Sequence, residues 1–390
     1  MFRKIQSLLI FTLACGFSVF VLGLSDAKAQ GLAGVQFKPY GWVQVDAAYD
    51  SSRTSYGDLM FMIMPETAVG AGKKELSVSA RGTRFGINMI APEYNGRKVV
   101  GRIEGDFCED LTPNKYTPRL RLAYIDVAWK NGWSVRFGQD WDTYINFHPS
   151  MVDASMLAFL GHTYGRHPQV RLTKETKLGE ETSLTFKIAL QHGRNGSDAD
   201  LDGQPDENAS AVPNVHGSLV LKTRLLSSRQ STFTISGAYG REKTGENAAN
   251  PATYRSRFLH GGIQLPLSES LTISGEGWAG DNVDNYLGGI GQGINLAKGT
   301  EISARGGWAQ GVWTPVKIIK TGVGFGIDDP EDDDLSGDAR TFNGRVFANV
   351  FYSLTDKTTL GLEYSRIYTD YAVTKNMQNN RVHFGVMYVF

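Results

Sequence analysis

From Gln30 to the C-terminus the chain alternates apolar and polar residues with a period of two, which puts successive side chains on opposite faces of a strand. Between Thr182 and Gln191, Leu184, Phe186, Ile188 and Leu190 alternate with Ser183, Thr185, Lys187 and Gln191. Val99, Ile103 and Phe107 oppose Arg102, Glu104 and Asp106 in the same way. So do Val215, Leu219 and Leu221 against His216, Ser218, Lys222 and Arg224, and Ile302, Ala304 and Trp308 against Glu301, Ser303 and Arg305. One face is apolar and the other charged, so the fold class is all-β. The only long apolar run lies at the extreme N-terminus, which excludes a polytopic helical membrane protein. Two cysteines exclude a disulfide scaffold, and 40 basic against 40 acidic groups argue against a nucleic-acid binder.

The apolar run follows Arg3 and Lys4, extends from Leu8 to Leu24, and ends near the small residues Ala27 and Ala29. This is the layout of a secretory signal peptide over residues 1–29, cleaved after Ala29. A retained anchor would need about 20 apolar residues, and this run is shorter. Cys15 lies inside the run rather than at its end, which argues against a lipoprotein. Cleavage would remove three basic groups (Arg3, Lys4, Lys28) and one acidic group (Asp26), leaving a formal charge of −2 and one cysteine, Cys108. A single thiol cannot form an internal disulfide, so Cys108 is expected to be a packed small residue.

Alternation alone does not separate a soluble sandwich from a membrane barrel with a polar lumen. The leader favours the membrane, as do aromatics at strand ends (Tyr40 and Trp42, Trp129 and Trp133, Tyr388). The last ten residues alternate Val382, Phe384, Val386, Tyr388 and Phe390 with Arg381, His383, Gly385 and Met387. A terminal amphipathic strand ending in Phe390 resembles the C-terminal signal of bacterial outer-membrane barrels, which implies recognition by the barrel-assembly machinery. Short turns are expected at 92–96, 130–132, 174–180, 227–229, 267–269, 313–315 and 354–356. Longer segments fall near 51–74, 109–117, 139–165, 193–213, 242–253, 281–299, 327–340 and 371–379. Seven turns alternating with eight loops predict sixteen strands, with both termini on the turn side. Residues 30–390 thus read as one transmembrane antiparallel up-and-down β-barrel in the outer membrane of a Gram-negative bacterium, in contact with its lipid and lipopolysaccharide. The strand near 316–324 is the least regular, and parity supports it.

Sixteen strands enclose an aqueous bore, whereas about eight fill with side chains. The third loop, 139–165, carries Trp141, Tyr144, Phe147, Met151, Met156, Leu157, Phe159 and Leu160. A loop this apolar is expected to fold inward as a constriction; packing on neighbouring loops or another subunit is the alternative. The predicted lumen faces hold Lys98, Arg102, Arg121, Arg136, Arg171, Lys187, Lys222, Arg224, Arg305, Arg345 and Arg381 against Glu104, Asp106, Glu276, Glu301 and Glu363, eleven cations to five carboxylates. Asp140 and Asp142 join this pore-lining set at the start of the third loop. Such a bore favours anions, small organic ones above all; if the arginines are instead paired across strands, they only hold the wall.

Asp198, Asp200, Asp202 and Asp206, with Gly203, follow the first half of a calcium loop, but Ala209 stands where a bidentate Glu would complete it. Ca²⁺ there and a solvated acidic loop both remain open, and no cofactor is required. A second acidic run from Asp328 to Asp334 suits an electrostatic role or divalent bridging to lipopolysaccharide. Gly275–Gly280 matches GxGxxG, but no helix follows it, so it is not a dinucleotide site. His216 and Ser218 share one face, which a lumen hydrolase could use; wall residues are the simpler reading, and the chain is not read as an enzyme. A structural or adhesive barrel with a blocked bore is the other alternative.

Gly138-Gln139-Asp140-Trp141, Gly165-Arg166-His167-Pro168-Gln169-Val170-Arg171, Gly324-Phe325-Gly326-Ile327-Asp328-Asp329-Pro330 with Asp334-Leu335, and Gly361-Leu362-Glu363-Tyr364 resemble the DcaP-like family of trimeric outer-membrane porins. The resemblance runs from about Tyr40 to Phe390. It implies a sixteen-stranded homotrimer with an inward third loop and passive uptake of small, often anionic, organic solutes. It also implies that Arg136 and Arg171, beside the third loop, lie at the constriction. Some members carry a coiled coil before the barrel; here only about ten residues precede the first strand, so any trimer support from such a segment is not expected.

Overall fold

The computed structural model describes residues 34–110, 115–193, 210–244, 252–374 and 376–390. The expected leader, 1–29, and the candidate calcium residues Asp198, Asp200, Asp202 and Asp206 lie outside the described residues.

The compact unit from Phe37 to Phe390 is a single antiparallel sheet closed on itself. Its strands are β1 (Gln36–Asp50), β2 (Glu75–Ser79 and Arg84–Ile90), β3 (Arg97–Asp106), β4 (Arg119–Trp129), β5 (Trp133–Trp141), β6 (Arg166–Lys177), β7 (Ser183–Gln191) and β8 (Asn214–Arg224). They continue as β9 (Gln230–Lys243), β10 (Thr253–Pro266), β11 (Leu271–Asp281), β12 (Ser303–Val316), β13 (Ile319–Pro330), β14 (Arg340–Ser353), β15 (Thr358–Tyr371) and β16 (Met377–Val389). β2 is broken by a turn closed by Thr83 N–H on the Ala80 carbonyl, and both halves pair with β1. β1 also pairs with β16, from Trp42↔Val389 to Asp50↔Arg381, so no strand edge is left open. The sixteen strands expected from turn parity are present, including the irregular one, here β13.

The eight longer connections all follow odd-numbered strands, and so join strand ends opposite the end at which β16 finishes. Four matter below: L1 (51–74), L3 (142–165), L5 (244–252) and L6 (282–302). Two expected turns shift. The one placed at 313–315 falls at 317–318, because β12 runs on through Pro315 past a register irregularity between Trp313 and Val316. The one placed at 174–180 falls at 178–182.

Burial follows the alternation. In β7, Phe186, Ile188 and Leu190 are exposed on the outer face while Ala189 and Gln191 are buried inside. The same face of β1, β13 and β16 exposes Val43 and Val45, Val323 and Phe325, and Val382 and Phe384. β12 is the exception. Ala304 and Trp308, expected to face lipid, are buried inside, and Arg305, expected in the lumen, points outward to Asp329 at 3.0 Å with its side chain 73% exposed. Apolarity marked the wrong face there because the inner side of β12 is covered by apolar loops rather than by water.

L1, expected only as a longer connection, forms a hairpin, Thr54–Tyr56 with Leu59–Ile63, whose Leu59, Met60, Phe61 and Ile63 are buried. Met60 and Ile63 pack with Phe147, Leu157 and Leu160 of L3 and with Trp308, Phe347 and Ile367 of β12, β14 and β15. Leu59 and Phe61 pack with Ala158 and Tyr164 of L3, with L6 Leu287 against them.

Candidate functional site

L3 leaves β5 and returns to β6, yet its hydrogen bonds run to β11–β15, which lie across the ring of sixteen strands. Ser150 N–H donates to Gln310 Oε1 at 2.9 Å, and Asn349 Nδ2 donates to the Ser150 carbonyl at 2.8 Å. Val152 N–H donates to Glu363 Oε2 at 2.9 Å, and Asp153 accepts from Arg345 Nη1 at 2.7 Å. Trp278 Nε1 donates to the Gly161 carbonyl at 2.8 Å, and His162 Nδ1 lies 2.8 Å from Glu276 Oε2. Asn343 joins two loops, its Nδ2 donating to Phe61 of L1 and Phe159 of L3 at 2.7 Å each.

Glycine makes this docking possible. At Gly161 (φ +104°) a Cβ would stand 2.1 Å from the Gly307 carbonyl oxygen, and at Gly326 a Cβ would stand 2.1 Å from the Leu160 carbonyl oxygen. The loop backbone therefore lies directly against the backbone of β12 and β13, and only residues without a Cβ allow that approach.

The other side of the ring is polar. Arg84, Arg102, Arg119, Arg121, Arg136, Arg166, Arg171 and Lys187, on β2 to β7, share it with Glu104, Asp106, Asp126 and Asp140. Arg121 reaches Glu104 and Asp106 at 2.8 Å each, and Arg119 reaches Asp106 at 2.9 Å. Arg102 pairs with Glu104 at 3.0 Å and lies over the Tyr40 ring. Asp140 is shared by Arg136 and Arg171, and Arg136 also binds Asp126 at 2.8 Å. Arg84 stands 3.8 Å from Glu104, and Arg166 lies over the Trp141 ring with no ion pair among the described residues. Lys187 Nζ donates to Asn146 Oδ1 of L3 at 3.0 Å. Among these residues eight cations stand against four carboxylates, a local surplus of positive charge.

Both L3 carboxylates are buried. Asp142 accepts from Tyr144 OH at 2.9 Å and meets His167 Nδ1 at 2.8 Å. Burial pushes its carboxyl upward, but the His167 contact, with His216 and Tyr144, outweighs this and holds it below the usual range. Asp153 is likewise held well below that range: burial opposes ionisation, and Arg345 and Arg381 overcome it. L3 therefore offers the open bore no free carboxylate.

Of the expected pore-lining residues, Arg102, Arg121, Arg136, Arg171, Lys187, Glu104, Asp106 and Asp140 gather on this wall, while Asp142 is buried at the start of L3 and does not line the bore. Arg345 faces inward but is fully buried between Asp153 and Glu363, so it anchors L3 and does not line the bore. Arg224 lies at the turn end of β8, exposed and paired with Glu181 of the 178–182 turn. Arg305 is outside the barrel, as described above. Glu301 is in L6, where it accepts from Arg255 N–H. Arg84, Arg119, Arg166 and Asp126 were missed. One obstacle is a bulge in β4, where Glu104 pairs with Leu122 and Gly105 with Leu120, so that Arg121 and Leu122 are both buried and the alternation slips by one.

His216 and Ser218 are buried but not joined: His216 Nε2 faces Tyr286 OH at 3.4 Å, and Ser218 Oγ accepts from Ser236 at 3.0 Å. A nucleophile–base contact is not formed between them.

Closure, strand number and the outward apolar face define an outer-membrane type of β-barrel with a polar inner wall. No family model and no curated protein sequence matches the chain. Among solved structures, the outer membrane channel DcaP of Acinetobacter baumannii is similar in fold, with a TM-score of 0.75, 21% identity, and coverage of 94% of this chain and 100% of that one. The anion-selective porin from Comamonas acidovorans gives a TM-score of 0.59 at 11% identity, covering 91% of this chain and 100% of that one. The trimer form of OmpT from Vibrio cholerae gives 0.58 at 13%, covering 92% and 100%.

Proposed function

We propose that this chain is a Gram-negative outer-membrane porin through which small hydrophilic solutes, organic anions foremost, pass by diffusion. The observation that carries the reading is the positive wall of β2 to β7, set opposite the face on which L3 docks and lacking a free carboxylate on the loop. In this reading L3 narrows the bore, and a permeating anion exchanges part of its hydration for the Arg84, Arg102, Arg119 and Arg136 guanidinium groups, which are 21–30% exposed. A cation meets the same surplus as a barrier. No chemical step is required of the protein, and no cofactor.

The similar folds of an anion-selective porin and of a trimeric outer-membrane protein support the same reading, and with it a homotrimer. The terminal strand ending at Phe390 suits insertion by the barrel-assembly machinery, and residues 1–29 suit export. Ca²⁺ at Asp198, Asp200, Asp202 and Asp206 stays an independent proposal, tested by calcium titration of the full chain.

The test is the reversal potential of single channels in a planar bilayer under a KCl gradient. Anion preference that falls when Arg102 and Arg119 are changed to Gln supports the proposal. Cation preference would remove the role of the arginine wall, and electrical silence would favour a structural or adhesive barrel.

A further inference from the structure

The outer face of the barrel carries a second basic cluster, on the loop side of β9 to β12. In β9 the outward residues run Ile235, Tyr239, Arg241 and Lys243, and in β10 they run Leu259, Arg257 and Arg255 toward L5. All are exposed, while their neighbours Glu242, Tyr254 and Ser256 are buried inside. Arg241 and Arg255 are direct cross-strand partners, flanked by Lys243↔Thr253 and Tyr239↔Arg257. Like charges opposed across an antiparallel pair repel. Arg257 is neutralised by Asp281 and Arg305 by Asp329. Arg241 and Arg255 have no carboxylate in ion-pair contact among the described residues; Glu301 accepts from the Arg255 backbone N–H.

Below these cations lies a surface suited only to hydrocarbon: Leu259 is 62% exposed and Ile235 55%. Tyr239 stands at the junction, its ring on the apolar side and its hydroxyl 3.4 Å from Arg241 Nε. An apolar band, then an aromatic hydroxyl, then guanidinium groups without a carboxylate partner among the described residues is the order met on passing from acyl chains through an interface to phosphate. The loop end of the barrel faces the outer leaflet, so the phosphate is that of a glycolipid.

We propose that Arg241 and Arg255 form a binding site for a phosphorylated glycolipid of the outer leaflet. One phosphate is gripped between the two guanidinium forks, and its acyl chains lie on Leu259 and Ile235. Paired N–H donors on a planar fork match phosphate oxygens, and the bound anion removes the repulsion between the two side chains. The inference rests on the barrel spanning an outer membrane, not on its ion selectivity.

The experiment is native mass spectrometry of the full purified protein in detergent, titrated with bisphosphorylated lipid A, the same lipid without its phosphates, and inorganic phosphate. The wild type should retain bisphosphorylated lipid A at least tenfold more tightly than the dephosphorylated form, and inorganic phosphate should not reproduce that retention. The variant R241Q/R255Q should lose that preference, and R255Q alone should weaken it. R241Q/R255Q should also melt higher than wild type in lipid-free detergent, because the opposed charges are gone. Equal retention by wild type and R241Q/R255Q overturns the proposal, as does retention that ignores phosphorylation, or loss of oligomer with lipid A retention unchanged. If R241Q/R255Q fails to fold, R255Q is read instead. Conductance of the same preparations reports on the pore separately, so failure of one reading is distinguishable from failure of the other.

Discussion

Asp153→Asn tests whether L3 is held to the wall by charge. The carboxylate is fully buried and accepts Arg345 Nη1 at 2.7 Å, with Arg381 Nε at 3.9 Å. Asparagine keeps the shape, and its oxygen retains the Ser155 N–H contact of 2.9 Å, but its amide nitrogen then faces Arg345 Nη1, so the change removes both the charge and the acceptor for that guanidinium. Breaking a buried ion pair from one side costs about 3–5 kcal/mol. Arg345 still has Glu363 and Ser365, each at 2.7 Å, which places the cost near the lower end, about 3 kcal/mol. Borne by the L3 contact alone, that raises the population of the detached loop by roughly two powers of ten. The assays are the apparent melting temperature in detergent and the open-channel current noise. D153N should melt several degrees lower and flicker more. Glu181→Gln, which breaks the exposed pair with Arg224, should do neither. An unchanged melting temperature together with an unchanged open-channel trace in D153N would refute the anchoring role of the Asp153–Arg345–Glu363 group.

Three other outcomes are expected. His148 of L3 is pushed down to about 3 by burial and by neighbouring His162, so the unfolded chain takes up its proton first as pH falls below about 6.5. Stability should therefore fall from about pH 6.5 toward 3, by up to about 1.4 kcal/mol per pH unit for this group, and His148→Gln should flatten that slope in pH-dependent melting. Asp142 and Asp153, held low, add stability above the carboxylate range that is lost as pH falls through it. Burial, aided by Asp106, pushes the Cys108 thiol up to about 11, so maleimide labelling near pH 8 should be negligible in folded protein and rapid after denaturation. Gly326→Val should displace L3 and alter single-channel conductance, because the new Cβ meets the Leu160 carbonyl at 2.1 Å. Gly311→Ala on the neighbouring strand, with nothing within 4 Å, should leave conductance unchanged.

The alternation, the turn spacing and the terminal Phe390 strand made the barrel legible before any coordinates. Each is a local signal, because in a strand the face a side chain takes depends only on parity. The lumen cations of β3 and β5 to β7, namely Arg102, Arg136, Arg171 and Lys187, follow from the same parity. Arg305 shows where that reasoning stops. Strand parity says which residues share a face, but which face is inner was judged from hydrophobicity, and that test assumes a wet lumen. Beside L3 the lumen is dry, so β12 reads inverted. The bulge at Arg121 is a second kind of loss, since a single unpaired residue leaves no mark in composition. Arg345 was rightly placed inside, yet its role changes from lining to anchoring once Asp153 meets it from a loop 192 residues away in sequence.

The sequence by itself determined strand number, strand direction, the outward apolar surface and the basic character of one wall, all properties set within about ten consecutive residues and their turns. Only the tertiary structure decided that L1 and L3 cover the inner faces of β11 to β16 and leave the β2 to β7 wall open. It also decided which arginines remain partly exposed and which are consumed in buried pairs. Those outcomes depend on backbone contacts at Gly161, Gly307 and Gly326 and on carboxylates brought from distant loops, and non-local contacts of that kind leave no period in the chain.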